Sequence, residues 1–230
     1  AMAGLGTALI GPLLGMAADR WGQRSVMLLT AIGNSLALLV LAWVAYAPVA
    51  DGWVLAVAVL VGATAPQVAP LSRSRLVAMI DAGFPVQRRP RVLQGVLAYE
   101  SAADEIVFVF GPVVVGLLAT AVSPAAPIIG AAVLTAFFVG AFALHRSAKA
   151  APTHVAHRDL AVSPFRELLR PRVLVVVLGT LGMGFFFGST LTALTAFMQQ
   201  ITTAEEAGLL YGAMGLGSAI LALGVAAFPQ

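Results

Sequence analysis

The sequence contains no cysteine, which excludes disulfides, thiolate metal sites and a cysteine nucleophile. Charge is scarce. Asp, Glu, Lys and Arg make up 10% of the 230 residues, against about a quarter in soluble domains. Histidine occurs three times, at His145, His154 and His157, none of them inside an apolar run. His154 and His157 have a pair spacing, but no third ligand lies near them, and two imidazoles alone do not make a zinc site. The sequence therefore predicts no metal centre and no cofactor. What takes the place of charge is apolar surface: 60% of the residues are hydrophobic, which implies an integral membrane protein. The net charge of +3 does not point to nucleic acid, because the cations are confined to connections between apolar runs.

Runs of about 17 or more apolar residues, enough to cross the hydrocarbon core, fall near 1–17, 26–47, 53–72, 92–121, 125–144, 173–198 and 207–229. They predict an all-α polytopic protein with seven spans. Arg20 and Arg24 lie in the first connection, and Arg73, Arg75, Arg88, Arg89 and Arg91 lie in the third. Arg146, Lys149, Arg158, Arg166, Arg170 and Arg172 lie in the fifth, which accounts for every Lys and Arg in the chain. The other connections, near 48–52, 122–124 and 199–206, carry Asp51, Glu205 and Glu206 instead. The positive-inside rule then makes the first, third and fifth connections cytoplasmic. The fifth is the one long polar segment, so it divides the chain into residues 1–144, a linker 145–171 and residues 172–230. Within it, Ser163 and Pro164 read as the N-cap and first residue of a short interfacial helix. The stretch 73–91 mixes arginines with Leu76, Val77, Met79 and Ile80, the composition of a short amphipathic helix lying in the interface.

Polar residues inside the spans are the candidates for function. Span 53–72 starts at Trp53, an interfacial anchor, and carries Thr64, Pro66, Gln67 and Pro70 in its inner half. The prolines predict a kink. Thr64 and Gln67, three apart on a helix, would share a face, roughly 16–21 Å from Trp53. Span 92–121 holds Glu100, Asp104 and Glu105, followed by Gly111, Pro112 and Gly116. Helical periodicity puts Glu100, Asp104 and Gly111 within a narrow arc and turns Glu105 away. These acids either sit at the level of the headgroups or titrate within the membrane, where an ionisable group is costly and usually functional. Asp104 is the candidate proton- or cation-binding group, tuned by Glu100 and Glu105. Span 173–198 carries Gly179, Gly182, Gly184 and Gly188, which suit close packing. Its Ser189, Thr192 and Thr195 recur on one face, which suits a cavity wall or bonding back to the helix backbone. Thr30, Asn34 and Ser35, in span 26–47, read as packing.

The charged break between the first two spans, Gly15-Met-Ala-Ala-Asp-Arg-Trp-Gly-Gln-Arg24, resembles the loop between the second and third helices of major facilitator superfamily transporters. Gly15, Asp19, Arg20, Gly22 and Arg24 stand at the pattern's positions, and Gln23 departs from it where a second cation is usual. In that setting Gly15 would press on a neighbouring helix, Asp19 would face the N-terminal end of another, and Gly22 would allow a tight turn. Gly111, Pro112 and Gly116 partly match the helix-five motif of the family's antiporters, with Val107, Val114 and Val115 where more glycines are usual. Ala58 stands where proton-coupled members often carry arginine.

The resemblance implies twelve helices with both termini inside, so the chain would cover helices two to eight. A similarity between Ala1–Ile10 and Ala213–Leu221, six spans apart, fits two parallel halves. Spans 53–72 and 173–198 would then line a central cavity. The implied activity is secondary transport by alternating access, not enzymatic catalysis. The partial helix-five motif and the acids favour proton-coupled efflux of small organic compounds, and a nutrient uptake symporter is the alternative. A transporter-like sensor and a lipid-modifying membrane enzyme rank behind both. The expected partners are a small-molecule substrate, protons and the lipid bilayer, with no nucleic acid. The expected state is a monomer crossing the inner membrane of a bacterium many times.

Overall fold

The computed structural model describes residues 2–149, 170–201, 210–213, 215 and 217, and among them every regular element is a helix. α1 (Met2–Trp21) and α2 (Gln23–Val44) are separated by a single residue. That residue is Gly22, whose φ of 90° lies in the left-handed region that glycine enters without a Cβ penalty. The break expected over residues 15–24 is therefore mostly helix. Gly15, Asp19 and Arg20 stand in the last two turns of α1, and Arg24 in the first turn of α2.

The next span is broken rather than kinked, with α3 (Asp51–Ala63) ending before Thr64 and α4 (Val68–Gly83) starting after Gln67. Pro66 has no N–H to offer the Gly62 carbonyl, and it disfavours helical geometry at Ala65. Pro70 is likewise unable to bond the Pro66 carbonyl, but it falls in the first turn of α4, where a missing N–H is tolerated. α4 then runs on without interruption to Gly83, so the first part of the stretch 73–91, expected to form a separate interfacial helix, continues this span. α5 (Arg89–Ala121) starts three residues earlier than expected and continues through Pro112. The turn between α4 and α5 is held by Arg89, which pairs with Asp81 at 3.2 Å and donates through Nε to the Phe84 carbonyl at 3.0 Å.

The following span consists of α6 (Ala126–Leu134), a π-helical turn at Thr135–Val139 and α7 (Gly140–Leu144). Ser35 of α2 donates to the Ala132 carbonyl at 2.9 Å just before the π turn. A short 3-10 turn (Arg146–Lys149) follows, and α8 spans Pro171–Ile201. Among the described residues, six segments are long and apolar enough to cross a membrane: Met2–Trp21, Gln23–Val44, Asp51–Gly83, Arg89–Ala121, Ala126–Leu144 and Pro171–Ile201. Most of the expected span 207–229 lies outside the described residues. So do the linker helix starting at Ser163, the two linker histidines, Glu205 and Glu206.

The chain divides into two compact units, Ala1–Ser101 with Ala125–Val155, and Ala102–Pro124 with Ala156–Gln230. In the first, Ala18, Val26, Met27, Leu71 and Ala143 form a buried cluster. Its closest helix crossing is α1 on α3. A Cβ at Gly6 would collide with the Val59 carbonyl, and one at Gly62 with the Ala3 carbonyl, so only glycine permits this backbone approach. In the second unit the Phe108 ring meets Phe187 edge-on at 5.3 Å and Tyr211 at 5.7 Å. A Cβ at Gly212 would strike the Val113 side chain. The close packing expected at Gly179, Gly182, Gly184 and Gly188 is absent among the described residues: an added Cβ at each meets nothing within 4 Å.

Candidate functional site

A membrane span that stops being helical exposes carbonyls that lipid cannot satisfy, so such a break persists only where protein or a polar cavity supplies donors. The α3–α4 break meets this requirement with side chains from two other helices. The Leu60 carbonyl takes the Thr64 N–H at 2.9 Å and the Thr64 hydroxyl at 2.8 Å. The Val61 carbonyl takes Asn34 Nδ2 of α2 at 2.7 Å. The Gly62 carbonyl, which Pro66 cannot serve, takes the Thr7 hydroxyl of α1 at 3.0 Å and the Ala65 N–H at 3.1 Å. Beyond it, Gln67 Nε2 donates to the Ala65 carbonyl at 3.0 Å, and the Val68 N–H to the Pro66 carbonyl at 3.0 Å. Every carbonyl from Leu60 to Gly62 is thus accounted for, as buried backbone requires.

The break also opens a recess of about 340 Å³ between α1 and the start of α4, lined by Thr7, Ala8, Gly11, Pro12, Gly15, Gln67 and Pro70. No ionisable side chain lines it. Gln67 is its most polar group, and its amide lies against Gly11, where an added Cβ would come within 3.3 Å of Nε2. Thr64 and Gln67 do not share one face as an unbroken helix would require. Thr64 turns towards α2, where it accepts from Asn34 Nδ2 at 3.2 Å, while Gln67 lines the recess. The physical reason is the break, which resets the helical phase between them. Gly15 belongs to the same recess: a Cβ there would meet nothing within 4 Å, so among the described residues it does not mark a close helix crossing.

The three acids of α5 have different surroundings. Glu100 pairs with Arg73 Nε of α4 at 2.9 Å and accepts from the Ser72 hydroxyl at 3.4 Å. Asp104 and Glu105 are exposed and have no hydrogen-bond or ion partner among the described residues. Gly111, expected to pack closely, meets nothing within 4 Å of an added Cβ among the described residues. Gly116 is buried. On α8, all three hydroxyls bond back to the helix: Ser189 to the Phe186 carbonyl at 3.1 Å, Thr192 to Gly188 at 2.8 Å and Thr195 to Leu191 at 2.8 Å. Each oxygen keeps lone pairs for another donor, so this bonding is compatible with a cavity wall.

At the other end of α1, Asp19, Arg20 and Arg24 are exposed and without a hydrogen bond or ion pair among the described residues. Gln23 is buried. Its amide oxygen accepts from Arg75 Nε at 2.8 Å, and its Nε2 donates to the Ser74 hydroxyl at 3.1 Å. Thr7, Asn34 and Arg75 are the residues that sequence reasoning missed. Thr7 and Asn34 stand in apolar helices whose own sequence gives no sign of carbonyls needing donors elsewhere. The only available signal was the proline pair of another span.

A family profile described as Major Facilitator Superfamily matches residues 1–229. No curated protein and no solved structure matches the chain.

Proposed function

Because the chain belongs to the major facilitator superfamily, its activity is that of a major facilitator transporter, and we propose that it exports small organic compounds in exchange for protons. On this reading it works as a monomer in a bacterial inner membrane by alternating access. The observation that carries the assignment of a solute path is the α3–α4 break. Irregular backbone within a span is kept where it faces protein or lines a cavity, and here it does both. Its carbonyls are held by Thr7 and Asn34, and Gln67 lines the uncharged recess on α1. Such a surface suits a neutral or weakly polar part of an organic molecule, oriented by one amide. Support for proton coupling comes from α5, where Asp104 and Glu105 have no counter-charge among the described residues. Carboxylates within a span are costly and usually functional, which favours a role for these two in coupling.

The test uses proteoliposomes of the full-length protein, a pH-sensitive dye in the lumen and a panel of amphiphilic organic amines and neutral aromatic compounds. Proton movement into the lumen that accompanies efflux of a panel compound supports exchange. Proton and solute moving in the same direction overturns it in favour of uptake symport. Transport indifferent to the pH gradient removes proton coupling altogether.

A further inference from the structure

Arg75 is expected from sequence to be one of several solvated cations that fix topology. It is instead among the most buried side chains, at 2% exposure. Its guanidinium is held on three sides by two residues of different helices, Gln23 and Phe142. Nε donates to Gln23 Oε1 at the start of α2 (2.8 Å), and Nη1 to the Phe142 carbonyl of α7 (2.7 Å). The plane of the Phe142 ring covers it at 3.8 Å from the centroid. Gln23 in turn reaches Ser74, whose hydroxyl donates to the Leu71 carbonyl at 2.9 Å. The third nitrogen, Nη2, has no acceptor among the described residues, so no carboxylate there offsets the charge.

These contacts constrain position 23. A buried cation with only neutral partners and a ring face tolerates an acceptor beside it and strongly disfavours a second cation, because water cannot screen the repulsion. Position 23 is where the charged turn departs from the pattern it otherwise follows: a second cation is usual there, and this chain has glutamine. We propose that Arg75 is a positioning residue for that turn. It fastens Gly22 and the start of α2 to α4 and α7, and it requires a neutral or acidic acceptor at position 23. Gly22, at φ 90°, aims the Gln23 side chain inward, while Asp19, Arg20 and Arg24 remain exposed at the two ends of the turn. The anchor thereby fixes where those three charges stand relative to α4. This concerns the attachment of the turn and holds whichever solute the protein carries.

The measurement is hydrogen exchange of the backbone amides of residues 22–28 in full-length protein in lipid nanodiscs, with melting temperature as a second readout. Gln23→Lys should speed exchange about tenfold or more, from loss of buried hydrogen bonds and gain of a repulsion. Gln23→Glu, close in size and opposite in charge, should exchange no faster than wild type. Pairing Gln23→Lys with Arg75→Glu should return exchange to within about threefold of wild type, since it restores a donor and an acceptor across the same contact. Equal effects of Gln23→Lys and Gln23→Glu would mean that the site reads shape alone, and would overturn the proposal. Unchanged exchange in Gln23→Lys alone, or a Gln23→Lys defect that Arg75→Glu fails to rescue, would do the same.

Discussion

Glu100 and Asp104 stand one turn apart on α5, yet only Glu100 has a counter-charge among the described residues. Its partner Arg73 keeps 57% of its side chain exposed, and so open a pair, on the cytoplasmic side of α5 by the positive-inside rule, is worth no more than about 1 kcal/mol. Length supports this placement. α5 has 33 residues, about 50 Å of helix against a hydrocarbon core of about 30 Å, so part of it extends into the headgroups. Asp104 lies about 6 Å further along the axis and has no counter-charge among the described residues. We therefore expect Asp104→Asn to abolish transport driven by a pH gradient while preserving substrate counterflow, which needs no net proton movement. Glu100→Gln should retain both activities and lose at most about 1 kcal/mol of stability. Full gradient-driven transport by Asp104→Asn would reduce Asp104 to an interfacial residue.

The elements themselves follow from the apolar runs, because length and hydropathy are local properties that a membrane enforces. Their interruptions do not. Pro66 and Pro70 announce a disturbance. Whether the span kinks or parts depends on donors to the Val61 and Gly62 carbonyls, and these come from Asn34 and Thr7, far away in sequence. The helical state of Asp19 and Arg20 was equally hard to read, since a cluster of charge resembles a loop until Gly22 is seen to make the whole turn. Gly6 and Gly62 illustrate the same limit. Many glycines are visible in the sequence, and only the structure separates those that touch another backbone from those that face open space. Gly62→Ala should destabilise the protein by about 1–3 kcal/mol or more, through overpacking of α1 against α3. Gly111→Ala, with nothing within 4 Å among the described residues, should be neutral or slightly stabilising because alanine favours helix. Thermal unfolding in detergent compares the two directly, and equal losses would argue against the close crossing at Gly62.

For the molecule as a whole, orientation is the most legible property, because it depends on where charges fall and not on which side chains meet. All thirteen lysines and arginines fall between the apolar runs on one alternating side, even where the helices extend through them, and each would cost roughly 2.5–3.5 kcal/mol at the centre of a membrane helix. Side-chain meetings are the opposite case. Arg75 counts as one more cation in a connection until it is found buried against Gln23 and Phe142, contacts between residues 52 and 67 apart in sequence. One buried arginine among the described cations leaves the charge asymmetry intact, so the orientation should hold. The absence of native cysteine makes the test clean. Single substitutions Gln87→Cys and Ala151→Cys should react with a membrane-impermeant maleimide only from the cytoplasmic side, and Thr203→Cys only from the outside. Gln87 probes the connection between α4 and α5, Ala151 the long linker, and Thr203 the stretch beyond α8, so the three positions count the crossings between them. Labelling of Thr203→Cys from the cytoplasmic side alone would mean that Pro171–Ile201 does not cross, and the alternating pattern of cations would then need another explanation.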